Sequence, residues 1–245
     1  LARADHIICN SHTTRRDLLE RTDLDEARVS VVPLGVRVPP AAEDAAPAAG
    51  GAAAGADAVP ADAQPSTPRL PRPFLLYVGV REGYKNFAAL CEAYAHSPRL
   101  CADFDLVAFG GGPTTSAEHA TLEALGIAGQ VHFIGGGDEV MAQLYRQAHL
   151  FVYPSLYEGF GIPPLEAMAH GCAVVCSRAG SIPEVAGDAA EYFDPSQPDA
   201  IAAALERVAW DEALLEDLAR RGWERAKTFS WQRTVLETEA LYRQV

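Results

Sequence analysis

A regular alternation of short apolar runs and helix-forming stretches, from residue 74 onward, constrains the fold most strongly. The apolar runs are residues 74–80, 106–109, 131–134, 150–153, 173–176 and 191–193. Helical patterns lie between most of them, at residues 88–95, 117–125, 140–148 and 164–170. Short buried strands that alternate with helices predict a parallel sheet covered by helices on both faces. We therefore predict an α/β fold with a doubly wound, Rossmann-like parallel sheet.

Both ends of the chain carry further elements. Residues 5–10 predict a strand that leads into a helix capped by Ser11, and residues 29–33 predict a second strand. Residues 200–208 and 212–227 have helical patterns. A last helix follows the capping residue Ser230, and its apolar face carries Trp231, Val235, Thr238 and Tyr242. Because the chain opens within a strand pattern, we expect a further segment before it.

Composition excludes some classes of function. The 245 residues are 49% hydrophobic, which is enough for one large domain or one and a half smaller ones. A net charge of −13 argues against a general nucleic-acid surface, which needs clustered Lys and Arg. The five cysteines are Cys9, Cys91, Cys101, Cys172 and Cys176. We expect them to be buried thiols, kept reduced in the cytoplasm.

Two glutamates, Glu158 and Glu166, frame a glycine- and proline-containing run of seven residues that follows an apolar strand. Glycines at 159 and 161 let backbone amides approach a ligand closely, and prolines at 163 and 164 suit the first turn of a helix. The N-terminus of a helix carries partial positive charge and attracts phosphate. The run therefore predicts a strand, a tight turn and a helix that together bind an anionic ligand rich in hydroxyl groups.

Arg81 and Lys85 follow the first strand of the alternating region. Cations placed where negative charge grows on a leaving diphosphate lower the barrier to bond cleavage. The alternative is a solvated surface pair. Since the carboxyl ends of parallel strands lie at one edge of a sheet, we expect both cations and the Glu158 turn to gather there.

Other motifs carry less information. Glycine runs at residues 110–112 and 135–137 follow strands, and the first could either expose amides to a ligand or form a plain loop. Neither run has the spacing of a dinucleotide-binding fingerprint. Two D-x-D patterns, at residues 23–25 and 103–105, lie in a polar loop and before a strand. We predict no metal site at either position, because such spacings are common on acidic surfaces.

Taken together, these motifs resemble the retaining glycosyltransferases of family 4, also called group 1, which have the GT-B fold. Residues 78–87 resemble the basic loop of that family, residues 153–161 its active-site strand and turn, and residues 182–190 a further family segment. The resemblance covers most of residues 70–245 and, more faintly, residues 1–38. It implies that the alternating region is one half of a GT-B fold, the half that binds the donor.

The resemblance also implies roles for particular residues. Arg81 and Lys85 would contact the donor phosphates, Glu158 would lie beside the transferred sugar, and these three would be the catalytic groups. Glu166 would bind the ribose, and the backbone near Phe133 the base. The implied donor-binding set is Gly79, Arg81, Lys85, Phe133, Glu158, Gly159, Phe160, Gly161, Ile162 and Glu166. Neither a metal ion nor a cofactor is implied.

The resemblance and the composition together divide the chain into four segments. By resemblance, residues 1–38 would end the N-terminal domain and form the crossover. By composition, residues 39–73, rich in Ala, Pro and Gly, would be a disordered linker, which departs from the short crossover of the family. Residues 74–228 would bind a nucleotide-sugar donor, and residues 229–245 would be a helix that crosses back. The activity implied is transfer of a hexosyl group, with retention, from a nucleoside diphosphate sugar to a glycan or lipid-linked acceptor. The variant at residues 80–87 resembles the mannosyltransferase branch, so the expected donor is GDP-mannose.

Two alternatives stay open at this point. The chain could bind a nucleotide sugar without transferring it, or it could be a GT-B epimerase acting on UDP-sugars. A glycosidase, which also uses paired carboxylates, fits poorly because it needs no phosphate site. We also expect a peripheral membrane contact through the N-terminal domain, a cytoplasmic location and no nucleic-acid partner.

Overall fold

Two parallel sheets organise residues 3–39 and 70–244, which are the residues described by this computed structural model. The strands are β1 (Ile7–Cys9), β2 (Val29–Val31), β3 (Phe74–Val78), β4 (Asp105–Phe109), β5 (Val131–Ile134), β6 (Leu150–Tyr153), β7 (Val174–Ser177) and β8 (Glu191–Phe193). The helices are α1 (His12–Glu20), α2 (Phe87–His96), α3 (Pro98–Asp103), α4 (Ser116–Ala124), α5 (Asp138–Gln147), α6 (Ile162–Ala169), α7 (Ile182–Ala186), α8 (Pro198–Ala209), α9 (Glu212–Ala226) and α10 (Trp231–Tyr242).

The larger sheet has the strand order β5-β4-β3-β6-β7-β8, and every pair of neighbours is parallel. Among the strands of this sheet, β3 comes first along the chain, yet it lies in the interior of the sheet, between β4 and β6. The chain therefore builds the sheet in one direction from β3 and then returns to continue on its other side. This order confirms the doubly wound α/β prediction. It also creates a crevice between the carboxyl ends of β3 and β6, where sheets of this kind bind ligands.

The strands are buried on both faces, which explains why they appear in the sequence as nearly continuous apolar runs. Alternate residues of β3 point into two different cores, as the two-residue repeat of a strand requires. Leu75 and Tyr77 pack with residues of α2 and α8, whereas Leu76 and Val78 pack with residues of α5 and α6. Burying both faces in this way holds the strand ends, and the loops that follow them, in fixed positions.

The N-terminal residues form a small sheet of their own, in which β1 and β2 are parallel. Ser11 caps α1 by accepting a hydrogen bond from the amide of Thr14, which confirms the predicted cap. Residues 33–36 are tied to the start of α10, since the Val36 amide donates to the Phe229 carbonyl and the Thr234 hydroxyl to the Pro33 carbonyl. The predicted apolar face of α10 is largely exposed.

The elements that the sequence did not predict are short helices. Helix α3 was not predicted, because its six residues are too few to show a helical repeat.

Cys172 and Cys176 are buried in the same apolar cluster, and burial raises the pKa of Cys172 to about 12. Most of the 39–73 linker lies outside the described residues. In the described part of the chain, no helix is both long and apolar enough to cross a membrane.

Candidate active site

The candidate site lies where the loop after β3 meets the loop after β6. Two hydrogen bonds to backbone carbonyls help to join these loops: the Leu156 amide donates to the Tyr84 carbonyl at 2.8 Å, and Asn86 Nδ2 to the Pro154 carbonyl at 3.1 Å. Asn86 has a φ of 60°, a left-handed conformation that asparagine tolerates better than most residues. These contacts fix the backbone on either side of Lys85 against the exit of β6.

Lys85, Glu158 and Tyr153 form a triangle of hydrogen bonds in the crevice. Lys85 Nζ lies 2.7 Å from Glu158 Oε1 and donates to the Tyr153 hydroxyl at 3.1 Å. That hydroxyl donates in turn to Glu158 Oε1 at 2.7 Å. Burial, with the nearby Glu158 charge, raises the pKa of Tyr153 far above its usual range, so it stays a neutral donor.

Within the described residues, the triangle has one hydrogen-bond donor left for an anionic ligand. The side chains of Lys85 and Glu158 are 14% and 11% exposed, so their charges are poorly screened by water. An ammonium group has three N–H donors, and Glu158 and Tyr153 use two of them. The remaining donor can bind a ligand oxygen without breaking the ion pair.

Arg81 lies in a different environment from Lys85. Its side chain is 3% exposed, and its Nε lies 2.5 Å from Glu118 Oε1. The other guanidinium nitrogens donate to three carbonyl oxygens of residues 110–113, at 2.6 to 3.2 Å. Its central carbon lies 4.9 Å from the centre of the Phe133 ring. Hydrogen bonding to Arg81 is the main reason why the pKa of Glu118 falls to about 2.

The structure therefore joins Lys85 to Glu158 and places Arg81 under the neighbouring glycine loop. A Cβ atom at Gly111 would come within 2.5 Å of the Arg81 guanidinium, so the loop rests directly on that side chain. Sequence reasoning left this loop open between two interpretations. Its carbonyl oxygens are bound by Arg81, and Glu118 was not among the predicted site residues.

The predicted strand, turn and helix are present at Glu158. Gly161 has a φ of 106°, which favours glycine, and the next residue begins α6. The carbonyl oxygens of residues 158–160 accept hydrogen bonds from the hydroxyls of Ser11, Thr14 and Ser181. In the part of the chain that the structure describes, the amides of residues 159–162 have no protein acceptor. A turn with free amides at the start of a helix suits a phosphate group.

Glu166 lies one helical turn into α6 and accepts a hydrogen bond from the Tyr145 hydroxyl at 3.1 Å. Burial raises the pKa of Glu166. Glu158 and Glu166 therefore contact different partners, and the described hydrogen bonds do not join them.

The remaining predicted residues occupy varied positions. Gly79 lies against Lys85, since a Cβ there would be 3.9 Å from Lys85 Cδ. Phe133 is half-buried in β5, and Phe160 is buried with its ring centre 5.9 Å from that of Phe229. Ile162 is the first residue of α6.

Three of the four D-x-D carboxylates have structural partners in the described part of the chain. Asp105 begins β4, at the sheet edge opposite Glu158, and pairs with Arg72 at 3.0 Å and His132 at 3.1 Å. Asp103 accepts a hydrogen bond from the Trp210 indole, and Asp25 caps a short helical turn. Among the described residues, no three His, Cys, Asp or Glu side chains form a group that could hold a metal ion.

The protein is a doubly wound α/β domain, and its candidate site lies at the switch point of the sheet, between the carboxyl ends of β3 and β6. The sequence family described as "Glycosyl transferases group 1" matches residues 60–225, which is more than half of the chain, and the protein belongs to this family. Family membership confirms the group 1 resemblance predicted from the motifs.

Relatives and solved structures agree with this assignment. The chain is 38% identical over 178 residues to O-antigen chain mannosyltransferase B of Escherichia coli, covering 69% of this chain and 45% of that protein. It is 34% identical over 260 residues to D-inositol 3-phosphate glycosyltransferase of Salinispora tropica, covering 99% and 51%. The chain thus spans about half the length of these relatives. Sucrose-phosphate synthase from Thermosynechococcus elongatus has a similar structure, with a TM-score of 0.74 at 27% identity, covering 99% and 58%.

Proposed function

We propose that this chain binds a nucleoside diphosphate sugar, and that the whole protein transfers the hexosyl group to a glycan or lipid-linked acceptor with retention. The proposal treats it as a family 4 enzyme in which residues 74–228 are the donor-binding half of a GT-B fold. GDP-mannose is the proposed donor, supported by the motif at residues 80–87 and by the mannosyltransferase among the relatives.

The observation that carries the proposal is the Lys85–Glu158–Tyr153 triangle beside a turn with free amides. Cleavage of the glycosidic bond leaves negative charge on the diphosphate. Lys85 and the amides of residues 159–162 offset that charge as it develops, which lowers the barrier. Glu158 accepts hydrogen bonds from the sugar hydroxyls, and Tyr153 keeps its carboxylate in place.

In this proposal Arg81 is a positioning residue, whereas Lys85 and Glu158 are the catalytic groups. Its guanidinium is engaged by Glu118 and by the carbonyl oxygens of residues 110–113, so direct contact with phosphate would require it to leave them. We propose that Lys85 contacts the phosphate directly and that Arg81 holds the glycine loop at residues 110–113 in place. From the resemblance, Glu166 binds the ribose and the backbone near Phe133 the base. The cytoplasmic location and the membrane contact stay predictions.

Calorimetry with a panel of GDP-, UDP- and ADP-sugars tests the donor assignment. We expect GDP-mannose to bind the wild-type chain, and Lys85→Met to weaken it by about tenfold to a hundredfold, as for loss of a charge-assisted hydrogen bond. Lys227→Met is the matched control, because Lys227 pairs with Glu224 on the surface, and it should leave affinity unchanged. Equal affinity in Lys85→Met and wild type would remove the phosphate role, and tighter binding of UDP-sugars would change the donor.

Activity requires separate measurements. Donor, acceptor and the full-length protein should yield a product with the anomeric configuration of the donor, as seen by NMR, and inversion would overturn retention. Because the chain spans about half the length of its relatives, binding without turnover is a second candidate for this chain by itself. Turnover by the isolated chain would exclude that candidate, and interconversion of a UDP-sugar without an acceptor would favour an epimerase.

A further inference from the structure

Ser181 lies behind the turn at Glu158 and is fully buried. Its amide and its hydroxyl both donate to the Glu158 carbonyl, at 3.1 and 2.9 Å, and the hydroxyl also lies 2.8 Å from the Phe160 carbonyl. A serine that precedes a helix usually caps it by accepting a backbone amide. Ser181 precedes α7, yet its side chain makes no such cap among the described residues. The hydroxyl is thus directed at the turn rather than at its own helix.

The backbone before Ser181 fits the turn closely. Gly180 has a φ of 56°, and a Cβ atom there would lie 2.6 Å from the Glu158 carbonyl oxygen and 2.8 Å from its nitrogen. Any side chain at this position would push the two segments apart. The segment of residues 180–181 therefore acts as a rigid support for the turn.

The middle carbonyl of the turn is held by the N-terminal segment. The Ser11 and Thr14 hydroxyls lie 2.6 and 3.0 Å from the Gly159 carbonyl oxygen. Helix α1 is placed there by Glu184, whose carboxylate accepts the amides of residues 12 and 13 at 2.8 and 3.2 Å. A carboxylate at the N-terminus of a helix also interacts favourably with the helix dipole. Residues far away in the sequence thus meet at the turn.

We propose that Ser181, Ser11 and Thr14 are positioning residues that aim the amides of the turn at the donor diphosphate. A trans peptide unit is planar, so its C=O and N–H point in opposite directions. Holding the carbonyls of residues 158–160 on one side therefore directs the amides of residues 159–161 to the other. This inference rests on the proposed function, because the diphosphate is the group that those amides receive.

Paired binding measurements on the full chain test this assignment. The probes are GDP and guanosine, with UDP and uridine in parallel. The variants are Ser181→Ala, Ser11→Ala and Thr14→Val, each of which removes one hydroxyl. We expect each to weaken diphosphate binding by up to about tenfold, the effect of one hydrogen bond, while binding of the nucleoside changes less than twofold. Thr14→Ser should retain diphosphate affinity because it keeps the hydroxyl.

Thr22→Val is the matched control, since the Thr22 hydroxyl, just after α1, donates to the Leu18 carbonyl and not to the turn. If nucleoside and diphosphate binding weaken equally, or if neither changes, the hydroxyls only support the fold and the inference is wrong. Thr14 is half-buried, so its Val and Ser pair keeps the test valid if Ser181→Ala does not fold. Failure of the wild-type chain to bind any of the diphosphates would overturn the proposed function itself, which distinguishes the two failures.

Discussion

Two glycine turns at the same edge of the larger sheet are supported in different ways. The β4 turn, residues 110–113, has three carbonyl oxygens bound by the single guanidinium of Arg81. In the β6 turn, residues 158–161, the carbonyl oxygens of residues 158–160 are bound by the hydroxyls of Ser11, Thr14 and Ser181. In both turns, side chains from other segments of the chain bind the carbonyl oxygens.

The comparison shows how support can be concentrated or shared. A buried guanidinium can bind several carbonyls at once, but its charge needs a counterion, which Glu118 supplies. Neutral hydroxyls need no counterion, but each supports only one or two groups. The β4 turn should therefore depend steeply on one residue and on pH, whereas the β6 turn should lose its support in small steps.

The largest effect is expected for Arg81→Ala. Removing Arg81 leaves the loop carbonyls without a donor and Glu118 without its counterion, so the free energy of unfolding should fall by about 3–5 kcal/mol. Arg233→Ala is the matched control, because Arg233 is 60% exposed in its pair with Glu237 and should cost at most about 0.5 kcal/mol. Urea denaturation measures both. Similar losses in the two variants would refute the claim of concentrated support.

Acid should weaken the β4 turn before the β6 turn. Arg81, with smaller contributions from hydrogen bonds of Thr115, lowers the pKa of Glu118 from 4.5 to about 2, so the ionised carboxylate stabilises the fold above about pH 4.5. The stabilisation should be lost as the pH falls from 4.5 towards 2. Denaturation midpoints measured across that window should fall less in Glu118→Gln than in wild type. In Ser181→Ala, the midpoint should fall with pH as steeply as it does in wild type. If the midpoint of Glu118→Gln falls with pH as steeply as that of wild type, Glu118 is not the group responsible.

Gly180→Ala tests the close approach behind the β6 turn. The added methyl group would meet the Glu158 backbone, so we expect a loss of about 1–3 kcal/mol beyond the cost of the left-handed backbone, together with weaker donor binding. Gly126→Ala is the control, since its φ is 72° and nothing lies within 4 Å of the added atom. Thermal denaturation and calorimetry compare the pair, and equal losses would show that backbone strain alone is responsible.

The smallest effect is expected for Tyr153→Phe, which removes one hydroxyl from the Lys85–Glu158 triangle. Stability should fall by about 1 kcal/mol, and donor affinity should fall severalfold because the Glu158 carboxylate becomes more mobile. Tyr94→Phe removes a hydroxyl that donates to the Phe104 carbonyl in the core, far from the site. It should cost similar stability without changing donor affinity. A matching affinity loss in Tyr94→Phe would assign the effect to general destabilisation.

The sequence predicted the alternation of strands and helices to within two residues at most boundaries. It also placed Lys85 and Glu158 after strands, and the structure joins them at 2.7 Å. It did not predict the partners that support the site. Tyr153 was placed in the active-site strand and turn at residues 153–161 but received no role of its own, although a hydroxyl at the carboxyl end of a buried strand is a usable signal. Asn86, Glu118 and Ser181 gave no comparable signal, because their partners lie in other loops.

Local periodicity, glycine positions and helix caps are properties of neighbouring residues, so the sequence by itself determined the elements, the sheet class and the strand–turn–helix at Glu158. The tertiary structure decided which groups are free and which are engaged. Arg81 meets Glu118 from 37 residues away, and Ser11 meets Gly159 from 148 residues away. Such pairs depend on the path of the chain through the sheet, which brings loops from separate strands to one edge. No short stretch of sequence contains that path.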